Sequence, residues 1–171
     1  AVRPGVEFRQ VHRLAGVALL AGLKELRLVK GDPEEAVEAG VHTLFFPCGV
    51  GHMLGLDVHD MDALGEDHVG YTDTIRRNPG FGWRSLRLAR AVQPGFVVTV
   101  EPGVYFIPAL IDRWQAERKH ESFVDYAELE GYRNFGGIRL EDDVLITTDG
   151  PRVLGKPIPK AIEDVEALAS A

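Results

Sequence analysis

Cysteine is nearly absent from this 171-residue chain: the single thiol, Cys48, excludes an intrachain disulfide and gives an oxidising compartment no support. Positive charge is short as well. Nineteen Lys and Arg stand against 26 Asp and Glu, for a net charge of −7 and a pI near 5.4, which argues against a binder of duplex nucleic acid, because phosphate recognition needs a basic face. No apolar run approaches the roughly 18 residues of a membrane span, and the first residues lack the charged-then-apolar order of a signal peptide. Internal repeats and low-complexity tracts are also missing. What is present is an ordinary globular balance, 45% hydrophobic and 26% charged, at a length that suits one well-buried domain. The expectation is a cytoplasmic protein with neither nucleic acid nor membrane as partner.

From Glu7 to Lys30, Val11, Leu14, Ala15, Ala18, Leu19, Gly22, Leu23 and Leu26 recur at helical spacing, which predicts a long amphipathic helix packed on a sheet. Asp32-Pro33-Glu34-Glu35 reads as the N-cap, first-turn proline and first-turn acids of a short second helix that stops at Gly40. Residues 60–85 are rich in Gly, Asp, Asn and Pro and predict a long functional loop or lid. Leu86 to Val92 reads as a strand that turns through Gln93-Pro94-Gly95 into Phe96-Val97-Val98-Thr99-Val100, an antiparallel hairpin. Leu110 to Glu130 reads as a helical excursion. Ile138 to Glu141 and Val144 to Thr147 read as a strand broken by an acidic kink and closed by Thr148-Asp149-Gly150, and Ala161 to Ala169 as a final helix.

The densest chemistry lies between Phe46 and Asp60, where His52 and His59 stand seven positions apart in a glycine-punctuated, mostly apolar run. Neutral imidazole is the commonest protein metal ligand. Two later segments each deliver a glutamate from a strand-like run: Val97-Val98-Thr99-Val100-Glu101-Pro102-Gly103 and Gly136-Gly137-Ile138-Arg139-Leu140-Glu141-Asp142-Asp143. Singly these signals are weak, since a lone histidine beside apolar residues is more often a satisfied core residue and a strand glutamate usually faces solvent. Together they differ. A carboxylate that follows four β-prone residues and precedes Pro-Gly sits where a strand stops, and strand ends are where rigid scaffolds present ligands. His52, Glu101 and Glu141 are therefore the candidate metal ligands, a hard set that suits manganese-like ions. Asp57 and Asp60 read as turn caps around the histidines, Gly136-Gly137 as a bulge, and His12, His42, His68 and His120 as core or solvent residues.

With these segments side by side, the chain resembles the pita-bread metallopeptidases, most closely the Xaa-Pro dipeptidase (prolidase) and Xaa-Pro aminopeptidase branch. The resemblance runs through nearly all of the chain. It rests on His52-x-x-Gly55-Leu56-Asp57-Val58-His59-Asp60, Leu86-Arg87-Leu88-Ala89-Arg90, Thr99-Val100-Glu101-Pro102-Gly103-Val104-Tyr105-Phe106 and Phe135-Gly136-Gly137-Ile138-Arg139-Leu140-Glu141-Asp142-Asp143. It implies an α+β fold of the creatinase/aminopeptidase kind, a curved antiparallel sheet with helices on its outer face, residues 1–171 being the C-terminal part of a single catalytic domain. It also implies hydrolysis of Xaa-Pro peptide bonds by a hydroxide that two divalent ions activate, the ions being manganese first, with cobalt or zinc as alternatives. One histidine, two glutamates and two aspartates hold them in the family. Carried onto these motifs, His52 is the histidine ligand, Glu101 the first glutamate and proton shuttle, and Glu141 the bridging glutamate. His59 contacts the substrate peptide and stabilises the tetrahedral intermediate, and Arg139 binds substrate or orients its neighbours. The implied partner is a peptide with proline at the second position, and a homodimer stays open.

The sequence departs from that pattern in two places. The family's aspartate ligands lie upstream of the long first helix, and residues 1–30 contain no Asp. The expectation is a fold incomplete at its N-terminus, at most one well-held ion and little activity from this chain alone. Cys48 stands where relatives usually carry another histidine, and reads either as a soft extra ligand or as a small buried hydrophobe. Arg139 also has a plainer reading, an ion pair with Asp142 or Asp143. Two rival functions are an inactive or metal-poor pita-bread module that binds a peptide or protein without cleaving it, and a metal-independent amidinohydrolase of the creatinase kind. Retention of all three ligand types counts against both.

Overall fold

In the computed structural model, which describes residues 1–170, the first helix forms as α1 (Phe8–Glu25), but its buried face is Phe8, Val11, His12, Gly16, Leu20 and Leu23: of the predicted stripe Val11 and Leu23 are buried, Ala15 and Leu19 half-buried, and Leu14, Ala18, Gly22 and Leu26 exposed. The helix ends before the predicted Lys30. Arg27 takes φ 63°, the Leu28 N–H returns to the Leu23 carbonyl at 3.0 Å, and Val29 forms an isolated bridge with Val124. Leu28 is buried in the bend that follows the helix rather than in the helix itself. The second helix follows its sequence signals: in α2 (Pro33–Glu38) the Asp32 carboxylate accepts from the Glu34 and Glu35 N–H groups at 2.9 and 3.1 Å, and Gly40, at φ 87°, ends it.

A short 3-10 turn, Val41–Leu44, then delivers two adjacent phenylalanines to two different cores. Phe45 joins Leu20, Val37, Leu44, Phe106, Ile111 and Trp114; Phe46 joins Phe8, Val50, Leu88, Val98 and Ile146. Burying such a side chain stabilises by roughly 1.5–3 kcal/mol. This split anchor fixes where the histidine-bearing segment begins.

Residues 60–85 are tied down rather than free. Two 3-10 turns, Asp62–Leu64 and Trp83–Ser85, flank α3 (Glu66–Val69), and two arginines clamp the segment. Arg77 pairs with Glu66 and Asp67 at 2.9 and 2.8 Å and lies 4.6 Å over the Tyr71 ring; Arg87 pairs with Asp62 and Glu66 at 2.6 and 2.8 Å.

The predicted hairpin does not form. Residues 86–92 are not a strand, because their backbone groups are bonded to the N-terminal segment and the tied loop: Phe8 N–H to the Arg90 carbonyl at 3.0 Å, Val92 N–H to Val6 at 3.0 Å, and Ala89 N–H to Gly70 at 2.8 Å. After β1 (Val97–Val100) come β2 (Gly103–Tyr105), α4 (Pro108–Ala116), α5 (Tyr126–Leu129), β3 (Gly137–Arg139), β4 (Asp142–Thr147), β5 (Gly150–Val153) and α6 (Ile162–Ala169). The expected excursion from Leu110 to Glu130 is split between α4 and α5, with Arg118 and His120 at positive φ in the gap.

The strands make two antiparallel sheets, ordered β1-β4-β5 and β2-β3. In the first, Val98 faces Val144 and Val100 faces Asp142. The acidic kink predicted near Glu141 is where the chain leaves β3 in one sheet and enters β4 in the other, and both glutamates of interest lie at such strand ends.

Candidate metal centre

Residues 50–54 run antiparallel to β1 along the edge that β4 does not use. Leu54 N–H bonds to the Val97 carbonyl at 2.9 Å, Thr99 N–H to His52 at 3.0 Å and Glu101 N–H to Val50 at 2.7 Å, with Met53 bridging Val98. Only glycine permits this approach at position 51, where a Cβ would stand 2.0 Å from the Thr99 carbonyl oxygen. The ladder brings side chains 49 positions apart into contact: His52 Nε2 lies 3.3 Å from Glu101 Oε1. Both are sheltered, with side-chain exposures of 7% and 14%.

The orientation of the imidazole matters more than the distance. His52 Nδ1 lies 2.8 Å from the Met53 carbonyl, and a ring nitrogen facing a carbonyl oxygen must carry the hydrogen. In the neutral ring the Nε2 lone pair then faces the carboxylate, an arrangement that is repulsive unless a proton or cation lies between. Two donors each about 2.1 Å from one ion, at angles of about 90–110°, stand about 3.0–3.5 Å apart. The observed separation falls in that interval, and an imidazole whose other nitrogen is fixed by a carbonyl is the usual form of a metal-bound histidine. His52 and Glu101 therefore fit a divalent ion.

Glu141 joins this pair only indirectly. Arg139 lies between the glutamates, with Nη1 3.4 Å from Glu101 Oε2 and Nη2 3.0 Å from Glu141 Oε2. Partial burial works against the guanidinium charge, yet Glu141 and Glu101 outweigh it and raise its pKa above the ordinary value. Among the described residues, no three His, Cys, Asp or Glu side chains are close enough to hold one ion together. The expected convergence is thus direct for two of the three groups and bridged by Arg139 for the third. Arg139 does not make the plainer pair with Asp142, whose carboxylate meets Lys160 at 2.5 Å.

His59 is exposed at the rim, its ring 4.4 Å from that of His52 and nearly perpendicular to it. Both histidines, Glu101 and Cys48 line one cavity of about 190 Å³, together with Gly51 and Arg87. Burial raises the Cys48 thiol pKa, with a hydrogen bond to Tyr105 pulling the other way. The Asp60 carboxylate faces the Asp57 N–H at 3.4 Å, in keeping with a turn role. His12 and His42 are fully buried, and no ring nitrogen of either finds a hydrogen-bond partner among the described residues.

Two residues in this site were not singled out from sequence. Arg87 sits in a run noted only for its resemblance, and its place beside the cavity follows from the ion pairs of the loop. Thr99 looks like any β-branched strand residue; its signal was the two-residue spacing to Glu101, which puts both on one face of the strand.

Residues 1–148 match the family model described as Metallopeptidase family M24. The chain is 40% identical over 167 residues to Xaa-Pro dipeptidase of Homo sapiens, covering 98% of this chain and 32% of that protein. It is 41% identical over 157 residues to Xaa-Pro dipeptidase of Xanthomonas axonopodis pv. citri, covering 92% and 34%. Among solved structures, zinc-substituted Escherichia coli aminopeptidase P in complex with product aligns with a TM-score of 0.66 at 32% identity, over 98% of this chain and 30% of that one. Pseudomonas aeruginosa aminopeptidase PepP aligns with a TM-score of 0.65 at 29% identity, over 99% and 30%. The chain spans about a third of the length of the curated relatives it matches. At these identities the likeness carries the fold: the expected α+β pita-bread arrangement is the one observed.

Proposed function

This chain belongs to metallopeptidase family M24, and on that premise we propose that the protein carrying it hydrolyses Xaa-Pro peptide bonds with a divalent cation, manganese first. The observation that carries the reading is His52 Nε2 facing the Glu101 carboxylate across 3.3 Å, with Nδ1 turned to the Met53 carbonyl. His52 and Glu101 would hold the cation, with Glu141 as the third ligand and second carboxylate at the end of β3. When bound, a divalent ion polarises the scissile carbonyl and lowers the pKa of water, the source of the attacking hydroxide.

The side chains do the rest. The nitrogen of an Xaa-Pro bond carries no hydrogen, and the proline amine departs only once protonated. Glu101, sheltered beside the nucleophile, takes the proton that water loses and passes it to that nitrogen. His59, at the rim, donates to the carbonyl oxygen as negative charge develops there. Arg139 balances the carboxylate charge and binds the substrate peptide.

A second reading has one observation in its favour. Arg139 already spans Glu101 and Glu141, which suits a metal-poor module that binds a peptide without cutting it. One experiment separates the two: hydrolysis of Ala-Pro and Ala-Ala by the full-length protein, with Mn²⁺ and with a chelator. The peptidase reading expects Mn²⁺-dependent turnover of Ala-Pro, at least a hundredfold above Ala-Ala and abolished by chelation. Binding of Ala-Pro without turnover under all conditions overturns it in favour of the binding module.

A further inference from the structure

Thr99 is a polar residue only 2% exposed, on β1 two positions before Glu101. A buried hydroxyl needs partners. It has two, one from each of the candidate ligand residues. The His52 backbone N–H donates to Thr99 Oγ1 at 3.0 Å, and Thr99 Oγ1 donates to Glu101 Oε1 at 3.1 Å. The direction follows from the proton count: an N–H can only donate, so the hydroxyl accepts there and spends its single proton on the carboxylate.

Oε1 is also the oxygen that faces His52 Nε2. Without the hydroxyl, the carboxylate is free to turn about its terminal torsion and give both oxygens to Arg139, which approaches Oε2 at 3.4 Å. With it, one oxygen stays on the His52 side. The backbone ladder cannot do this alone, because it fixes main-chain positions and leaves the end of the glutamate side chain undetermined.

We propose that Thr99 is a positioning residue of the metal centre: its hydroxyl ties the His52 backbone to Glu101 Oε1 and holds the two donors in the arrangement one divalent ion requires. This rests on the reading of His52 and Glu101 as ligands given above. Valine at this position keeps the shape and strand preference and removes both bonds; serine keeps the hydroxyl.

The test is isothermal titration of Mn²⁺ and of Zn²⁺ into the full-length protein and its Thr99→Val, Thr99→Ser and Glu101→Gln variants. Groups that orient metal ligands are typically worth 10–100-fold in affinity. The proposal expects a loss in that range for Thr99→Val and affinity within about threefold of the unsubstituted protein for Thr99→Ser. Unchanged affinity in Thr99→Val, with binding lost in Glu101→Gln, overturns the positioning role and leaves the metal site standing. Unchanged affinity in both overturns the metal site and the positioning role together. If Thr99→Val does not fold, Thr99→Ser decides: retained affinity supports the proposal, and a tenfold loss overturns it.

Discussion

Arg139 reaches Glu101 with one guanidinium nitrogen and Glu141 with another, at 3.4 and 3.0 Å, so that two carboxylates from different strand ends share one side-chain cation. The arrangement sets an expectation for its removal. Arg139 is half exposed, and pairs of that kind contribute about 0–1 kcal/mol, so Arg139→Gln should hardly change the melting temperature of the metal-free protein. Removing the competing charge should leave metal affinity equal or up to threefold higher while turnover of an Xaa-Pro dipeptide falls at least tenfold. Titration calorimetry beside steady-state kinetics checks both, and a tenfold drop in affinity would show that the arginine supports the ion instead.

Gly51 is the residue on which the approach of the histidine segment to β1 depends. A methyl group there meets the Thr99 carbonyl at 2.0 Å, which no side-chain rotation relieves, so the backbone of residues 50–54 must shift. Gly51→Ala should therefore cost about 1–3 kcal/mol, in the range of overpacking substitutions, and should weaken metal binding at least tenfold by parting His52 from Glu101. Thermal melting and metal titration of the variant decide it; a protein of unchanged stability and affinity would mean that the two segments are not held as described.

The buried histidine pair predicts acid sensitivity. His12 and His42 lie 5.7 Å apart, ring centre to ring centre, each against Trp83, with His12 also against Phe46. Burial, and then its neighbour His42, push the pKa of His12 down to about 3; burial pushes His42 down to about 4, with Glu38 and the Val37 backbone opposing. Arg13, paired with Glu34 and Glu38, is the nearby cation on α1. In the unfolded chain both imidazoles take up protons near their ordinary 6.5. The unfolded state thus binds more protons below that value, and stability falls with falling pH. The loss should begin near pH 6.5 and continue toward pH 4 and 3, amounting to a few kcal/mol in order of magnitude. Denaturant melts between pH 7 and 4 measure it, and His12→Phe should flatten the profile; an unsubstituted protein equally stable at both ends would contradict the burial argument.

How much of this was legible in the sequence depended on how local the forces were. The Asp32 cap, β1 and the turn after Thr147 are set by neighbours within a few residues, and each formed where its pattern placed it. The strand expected from Leu86 to Val92 failed because Phe8, Val6 and Gly70 claim its backbone groups, partners that no local pattern reveals. In the site, the contact between His52 and Glu101 followed from reasoning about strand ends. The place of Arg139 did not, because its sequence neighbours Asp142 and Asp143 were the obvious partners and the change of sheet after β3 turns the chain away from them. Thr99 escaped notice because a threonine in a β-branched run is indistinguishable from a strand-former until its hydroxyl is seen to be buried.

The central claim, that His52 and Glu101 take hold of one cation, is tested most directly by anomalous diffraction at the manganese edge from crystals of the protein grown with Mn²⁺. The account predicts a peak within about 2.0–2.4 Å of both His52 Nε2 and a Glu101 carboxylate oxygen, with Arg139 withdrawn far enough for Glu141 to turn toward it. A peak elsewhere, or none at saturating Mn²⁺ with the Arg139 bridge intact, would contradict it.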